Sequence, residues 1–305
     1  MKKVLLTALL LVAVIAAFGQ VTDGEKLLTT QKVDTLLGWK KGGVININSS
    51  QTSLTNWAAG GQSSIAIGGL LNLYAHNKKD KSLWENYLEL GYGSVKQKEQ
   101  DWWKTDDRID FTSKYGLKAS DKLYYAALLN FKTQMTDGYN YPNDSVVISR
   151  FLAPGYLLGA IGLDYKPSDN FTVFFAPITY KLTLVNDDVL ADAGAFGVDP
   201  GDHTKSEFGG YLRAFMKKDV MENITFQTKL ELFSNYLKNF GNIDVSWESL
   251  LAMKVNKLIS ATLSTHLLYD HDVTIAKEDD DGVMKTYNSK VQFKEVLAIG
   301  FTLNF

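Results

Sequence analysis

The end of the chain alternates between two kinds of side chain almost without interruption. Odd positions carry Leu297, Ile299, Phe301, Leu303 and Phe305, and even positions carry Val296, Ala298, Gly300, Thr302 and Asn304. Because successive side chains of a β-strand point to opposite faces, one face is continuously apolar and the other carries small and polar residues. The apolar face ends on an aromatic residue, which is typical of a strand that crosses a membrane within a β-barrel.

The same alternation recurs along most of the chain and predicts twelve strands. We expect an all-β fold, a transmembrane up-and-down antiparallel β-barrel of about 12 strands. Pro177 lies inside the seventh strand and has no N–H to donate, so we expect a bulge or break there. The strands are predicted near Gly43–Asn48, Gln62–His76, Leu83–Val95, Arg108–Lys118, Leu123–Gln134, Pro154–Lys166, Phe171–Leu184, Glu207–Lys217, Ile224–Leu232, Asp244–Lys254, Leu258–Asp270 and Phe293–Phe305.

The connections between these strands alternate in length. Short, turn-like connections are predicted at Asn77–Ser82, Ala119–Asp121, Pro167–Asn170, Lys218–Asn223 and Asn256–Lys257. Long connections are predicted at Lys96–Asp107, Thr136–Phe151, Asn186–Thr204 and His271–Lys290. Short periplasmic turns and long extracellular loops are the layout of an outer-membrane barrel. An even number of strands then places both chain ends on the periplasmic side.

Alternation alone does not say which face lies inside, and a soluble barrel or sandwich would bury the apolar face. Two observations favour the membrane. The polar face carries charges of both signs, which suits a water-filled lumen. Aromatic residues also fall near the predicted strand ends, where membrane-interface girdles lie; they are Trp39, Trp84, Tyr92, Tyr269 and Phe305.

The N-terminus is typical of an exported protein. Lys2 and Lys3 precede an apolar run from Val4 to Phe18, which predicts a signal peptide over residues 1–19. A polar segment over residues 20–37 would lie in the periplasm, and the barrel would occupy residues 38–305. We expect location in the cell outer membrane. The formal net charge of −2 and the absence of cysteine indicate neither a nucleic-acid partner nor disulfides or thiolate metal sites.

The segment from Gly38 to Gly69 reads GWKKGGVININSSQTSLTNWAAGGQSSIAIGG. Together with the signal peptide and the terminal Phe305, it resembles an uncharacterised family of Bacteroidetes outer-membrane β-barrels known only as a domain of unknown function. The last strand also resembles the C-terminal strand by which outer-membrane barrels are recognised for insertion. The resemblance implies outer-membrane lipid and the barrel assembly machinery as partners. It brings no catalytic or ligand residues.

Function is predicted from the polar face. The charged residues expected to line the lumen are Arg108, Asp110, Lys114, Lys118, Lys132, Arg213, Lys229, Glu231, Glu248 and Lys254. Twelve strands lie between the filled eight-stranded barrels and the open channels of 16–18 strands. We therefore expect a monomeric, narrow channel or translocator for small hydrophilic solutes. The alternative is a lumen plugged by salt bridges in a non-catalytic accessory or scaffold barrel of an outer-membrane complex.

Two further groups of residues have side chains of catalytic or metal-binding type. Ser264 and His266 share a strand face, which is similar to the pairing of Ser and His on the barrel wall of outer-membrane lipid hydrolases, but such residues lie roughly 6–7 Å apart and a nucleophile–base pair needs hydrogen-bond contact. We therefore expect no enzyme and no cofactor.

Asp279, Asp280 and Asp281 cluster in the last long loop, but they lack the ligand spacing of a calcium loop. They remain weak candidates for a metal site.

Overall fold

The computed structural model describes residues 37–54, 62–97, 100–141, 144–168, 170–238, 240–256, 259–278, 284–288 and 290–304. Twelve long strands form one closed antiparallel barrel in which each strand pairs with its neighbours in the chain, so the predicted fold class is confirmed. The predicted signal peptide over residues 1–19, all but the last residue of the segment 20–37, and Phe305 lie outside the described residues.

The barrel strands and two small hairpins account for nearly all of the regular structure. The hairpins, β6–β7 and β14–β15, lie in connections between barrel strands. One short helix, α1 (Asp188–Asp192), is capped by Asp187, whose carboxylate accepts a hydrogen bond from the Leu190 N–H. The strands are β1 (Gly38–Thr52), β2 (Ser64–Lys78), β3 (Ser82–Gln97), β4 (Trp102–Lys118), β5 (Leu123–Thr133), β6 (Gly138–Tyr139), β7 (Val147–Ser149), β8 (Gly155–Ser168), β9 (Phe171–Leu184), β10 (Thr204–Met221), β11 (Ile224–Asn235), β12 (Asp244–Lys254), β13 (Ile259–Tyr269), β14 (Thr274–Glu278), β15 (Met284–Asn288) and β16 (Gln292–Asn304).

The barrel closes where the first strand pairs with the last. Val44 lies opposite Asn304 and Asn48 opposite Gly300, so the closure uses the strand predicted near Gly43–Asn48. Only five residues of each strand take part in this described ladder, whereas β1 and β2 pair over fifteen. The β1–β16 contact, called the seam below, is therefore the shortest ladder of the barrel.

The bulge predicted at Pro177 is present. The pairing of β8 with β9 passes from Ile161 opposite Ile178 to Leu163 opposite Phe175. Gly162 therefore faces two residues, Ala176 and Pro177, and the missing N–H of the proline interrupts no regular ladder. The bulge also reverses which residues of β9 after Pro177 point inward and which point outward, so it decides which of their side chains face the lumen.

The strands are joined by short turns at one end of the barrel, called the short-turn end, and mostly by longer connections at the other, called the long-loop end. One predicted long loop is wrong. Lys96–Asp107 is mostly strand, because β3 runs to Gln97 and β4 begins at Trp102. The ladder passes from Gly93 opposite Asp106 to Ser94 opposite Lys104. The extra residue, Thr105, breaks the alternation and so hides the strand from a pattern-based prediction.

The outside of the barrel is apolar and much of the inside is polar. Ile47, Phe175 and Phe301 point outward with 56, 50 and 63% of their surface exposed, whereas Glu85, Asp164 and Gln227 are buried inside. A soluble barrel would have the opposite arrangement. The inner wall of β5 and β8–β11 is an exception, since Leu128, Phe174, Phe233 and their small neighbours form an apolar cluster there. Within the described residues, none of the helical segments has the length and hydrophobicity to cross a membrane.

Candidate functional site

Two cations and two anions meet inside the barrel near the short-turn end. Lys166 Nζ lies 2.8 and 2.9 Å from the two carboxylate oxygens of Glu85. Lys114 Nζ lies 2.8 Å from Asp164 and 3.2 Å from Glu85. The carboxylates are almost fully buried, with 5% of the Glu85 side chain and 3% of the Asp164 side chain exposed. We call Glu85, Lys114, Asp164 and Lys166 the short-turn quartet.

The strands bring this quartet together in a way that follows from their alternation. Glu85 on β3 lies directly opposite Lys114 on β4, and Asp164 and Lys166 share the inward face of β8. Between β4 and β8 lies β5, where Leu128 is opposite Lys114 and Tyr124 is opposite Asp164, and the small Ala126 lies between these two on the same inward face. An alanine there leaves room for the long lysine side chains to reach across the wall.

A small cavity adjoins the quartet on the inside of the barrel. Its volume is about 50 Å³, and its lining includes Tyr87, Thr112, Phe174 and Arg213 as well as the quartet lysines. A cavity of this size, with polar groups around it, has room for a few water molecules. The space left in this cavity is therefore small.

The middle of the lumen is crossed by a second set of charges. Lys132 Nζ on β5 lies 3.2 Å from Glu231 on β11 and 3.7 Å from Asp110 on β4. Three strands separate β5 from β11 around the wall, so this contact spans the interior. Glu231 also accepts a hydrogen bond from the hydroxyl of Tyr211. The Lys132 side chain is nevertheless 35% exposed, which indicates water-accessible space beside it.

Further ion pairs extend this set around the wall. Arg108 on β4 binds Glu89 at 3.0 Å and Asp106 at 3.0 Å. Lys294 on β16 lies 3.4 Å from the same Asp106, across β1, β2 and β3. Lys229 on β11 binds Glu248 on β12 at 2.9 Å. Charges of both signs are thus matched at short range in the central lumen.

Toward the long-loop end the acids outnumber the bases. Lys181 lies 3.2 Å from Asp244, 3.4 Å from Glu207 and 3.7 Å from Asp270. Lys205 binds Asp272, in the loop after β13, at 2.6 Å. Partial burial by itself raises the pKa of Asp272, but the hydrogen bond from Lys205 and its positive charge outweigh that effect and leave the pKa below its usual value. This mouth of the barrel is therefore acidic.

The structure brings most of the predicted charged residues into these networks. Arg108, Asp110, Lys114, Lys132, Arg213, Lys229, Glu231 and Glu248 all point inward and take part in them. Lys118 and Lys254 instead lie exposed at the short-turn end, where Lys118 binds Asp121 of its own turn at 2.8 Å. Both are poor candidates for the lumen because the inward face of a strand becomes a solvent-exposed rim at its end.

Several lumenal residues were not predicted from the sequence. Most of them follow the same alternation as the predicted lumenal residues, so a complete count of each strand face would have found them. They are Glu85, Glu89, Asp164, Lys166 and Glu207. Lys181 is different. Its inward direction depends on the bulge at Pro177, which a strict alternation of two does not follow.

The predicted interface aromatics lie on the outer surface at the two ends. Trp39 and Trp84 are 50 and 41% exposed at the short-turn end, with ring centroids 5.6 Å apart. Tyr92 and Tyr269 lie on the outward face toward the long-loop end, and Phe305 falls outside the described residues. Tyr115, Tyr125 and Tyr165 are also exposed at the short-turn end; they belong to the same girdle position and were not predicted.

The structure gives the Ser264–His266 hypothesis no support. Ser264 is buried and its hydroxyl contacts the Val296 carbonyl at 3.5 Å. His266 Nε2 instead lies 3.0 Å from the Ser246 hydroxyl and 3.8 Å from Glu248. Because both contacts use the same ring nitrogen, they do not form the relay of nucleophile, base and orienting acid that catalysis needs.

The candidate metal ligands Asp279, Asp280 and Asp281 lie outside the described residues. Within the described part of the chain, no three residues of metal-binding type are placed so that they could hold an ion.

Comparisons with known proteins give one family and several distant folds. Residues 49–139 match a family described as "Protein of unknown function (DUF3078)". No curated protein matches the chain. An outer-membrane channel from Pseudomonas putida F1 is 10% identical, with 88% of this chain and 96% of that chain covered and a TM-score of 0.42. The NanC porin is also 10% identical, with 86% and 100% covered and a TM-score of 0.39.

Proposed function

We propose that the protein is an integral outer-membrane β-barrel that works as a narrow channel for small hydrophilic solutes. The apolar exterior supports the membrane location, since a wall of exposed Ile, Leu and Phe side chains between aromatic girdles is matched to lipid. A closed barrel also leaves no strand edge with unpaired backbone groups in the membrane. In this orientation the short-turn end faces the periplasm and the long-loop end faces outward.

The main support for a channel is a charged side chain in the middle of the lumen that remains accessible to water. Lys132 is ion-paired across the interior and still 35% exposed. A core meant only as filling would be packed with apolar side chains to high density. Side chains exchange rotamers rapidly, in picoseconds to nanoseconds where they are exposed. Small solutes would therefore pass between paired charges, and the short-turn quartet would set the narrowest point.

Planar-bilayer recordings test the proposal directly. The refolded protein should give small conductance steps, and the double variant Glu85→Ser with Lys166→Ser should give clearly larger ones because it shortens two side chains at the constriction. Lys122→Ser, on an exposed short turn, should leave the steps unchanged. A folded and inserted barrel that conducts neither as the natural protein nor as the widened variant would eliminate the channel.

The ion pairs across the lumen also favour a second candidate, a closed accessory barrel within an outer-membrane assembly. The quartet carboxylates are as well buried as those of a protein core, so the lumen could be sealed at that level. This candidate requires that the widened variant conducts while the natural protein does not, and that a stable partner remains bound after extraction in mild detergent.

A further inference from the structure

The outer wall of the barrel contains a groove near the short-turn end. Its volume is about 500 Å³, within the range of about 300–1,000 Å³ found for ligand sites. The lining is almost wholly apolar and comes from four adjacent strands; it includes Lys41, Leu73, Ala75, Leu88 and Phe111. The groove exists because Ala75, an outward residue of β2 in its lining, is small, whereas β3 and β4 contribute the larger side chains of Leu88 and Phe111.

A line of polar contacts marks one side of the groove. Asn86, although it points outward, donates a hydrogen bond to the Ala75 carbonyl at 3.1 Å and accepts one from Ser113 at 2.8 Å. Ser113 in turn accepts a hydrogen bond from the Trp84 indole at 3.0 Å. Trp84 packs on Trp39. Because Trp side chains favour the level of the lipid head groups, the groove runs from the membrane interface into the hydrocarbon region.

The interface at the mouth of the groove is strongly basic. Lys41 lies beside the apolar lining, with its Nζ 5.8 Å from the Trp39 ring centroid. The neighbouring turn adds Lys79 and Lys81 against a single acid, Asp80, whereas Lys40 and Lys78 occupy inward positions of β1 and β2. A phosphate group at this level would meet an excess of positive charge next to a groove shaped for a chain.

We propose that this groove binds one anionic glycerophospholipid, with an acyl chain along the groove and its phosphate at Lys41. The chain alone gives no preference, because the surrounding lipid tails are as apolar as the groove. The preference for one lipid over another must therefore come from the head group. One lysine near an anionic head group raises the binding constant of that lipid over a neutral one by a factor of about five. The proposal rests on the membrane location proposed above, and it is independent of whether the lumen conducts.

Lipid retention in native mass spectrometry tests the site. The barrel is reconstituted into nanodiscs of equal phosphatidylglycerol and phosphatidylcholine, released gently, and its retained lipids are identified. We expect one phosphatidylglycerol, with a preference that falls about fivefold in Lys41→Gln. Ala75→Phe should fill the groove and abolish retention of both lipids.

Matched controls separate the groove from general effects. Lys122→Gln removes a charge from another short turn, and Ala127→Phe adds a ring elsewhere on the outer wall; both should retain phosphatidylglycerol like the natural protein. Equal retention of the two lipids, or equal loss in Lys122→Gln and Lys41→Gln, would overturn the proposal. A protein that never enters the nanodisc would instead contradict the membrane location itself.

Discussion

Replacing Lys166 by methionine tests whether the short-turn quartet is held together by balanced charge. Methionine keeps most of the length of the side chain but removes its charge, and it leaves Lys114 as the single cation of the quartet for two buried carboxylates. Removing one partner of a buried ion pair costs about 3–5 kcal/mol. Since Lys114 remains 3.2 Å from Glu85 and 2.8 Å from Asp164, we expect the free energy of unfolding to fall by about 3 kcal/mol, the lower end of that range.

Urea unfolding of the refolded barrel in lipid vesicles measures this loss through tryptophan fluorescence. The double variant Lys166→Met with Glu85→Leu removes one cation and one anion and keeps the Lys114–Asp164 pair. We therefore expect it to be more stable than the single variant, because no carboxylate is left without a partner. Lys118→Met, which breaks an exposed pair on a short turn, should change stability little. The free energy of unfolding of the double variant could instead fall by the sum of the losses measured for Lys166→Met and Glu85→Leu singly. That result would show that charge balance does not hold the quartet together.

Three further outcomes follow from the backbone, the seam and the acidic mouth. Gly162→Ala should lower stability by about 1–3 kcal/mol, because a Cβ there would lie 2.0 Å from the Phe175 carbonyl oxygen, whereas Gly159→Ala, with nothing within 4 Å, should not; equal urea midpoints would contradict this. Cysteines replacing Asn46 and Thr302, which hydrogen-bond across the seam at 3.0 Å, should form a disulfide on oxidation and stabilise the barrel by about 2–4 kcal/mol. Failure to cross-link would refute the seam register. Because the folded-state pKa of Asp272 is lowered, its stabilisation is complete above its unfolded pKa of about 3.9 and is lost as pH falls through the lower folded value; Asp272→Asn should thus lower the urea midpoint at pH 7 and make no difference in strong acid.

The architecture follows from sequence because one rule, the alternation of two, governs both the local strand and its environment. The strand face that carries Leu297, Ile299 and Phe301 is also the outer surface of the barrel, so a local pattern specifies which side meets lipid. The rule fails where one residue is added to a strand. Thr105 breaks the alternation, so the sequence pattern there predicts a loop where the structure has a strand. At Pro177 the missing N–H makes the bulge predictable from the sequence.

The partners within the lumen were not predictable in the same way. Glu85 and Lys114 are cross-strand neighbours and could have been paired from the register alone. Lys132 and Glu231, in contrast, are 99 residues apart and meet only because the sheet closes on itself. Which inward residues face each other across a barrel depends on the stagger of the strands as well as on their number. The sequence therefore predicts which residues line the inner wall, whereas the closure of the barrel determines which of them are in contact across the lumen.

The distribution of charge around the wall is connected with that closure. The inward positions of the paired seam are Val44, Asn46 and Asn48 on β1, which pair with Asn304, Thr302 and Gly300 on β16, and none of these residues is ionisable. Joining the two ends of the chain carries the largest loop-closure entropy in the barrel, and the seam has the shortest ladder to offset it. Burying a charge there would add a desolvation penalty of several kcal/mol per ion. The uncharged seam avoids that cost, and the charged residues at inward positions of these two strands, Lys40 on β1 and Lys294 on β16, lie outside the paired segment.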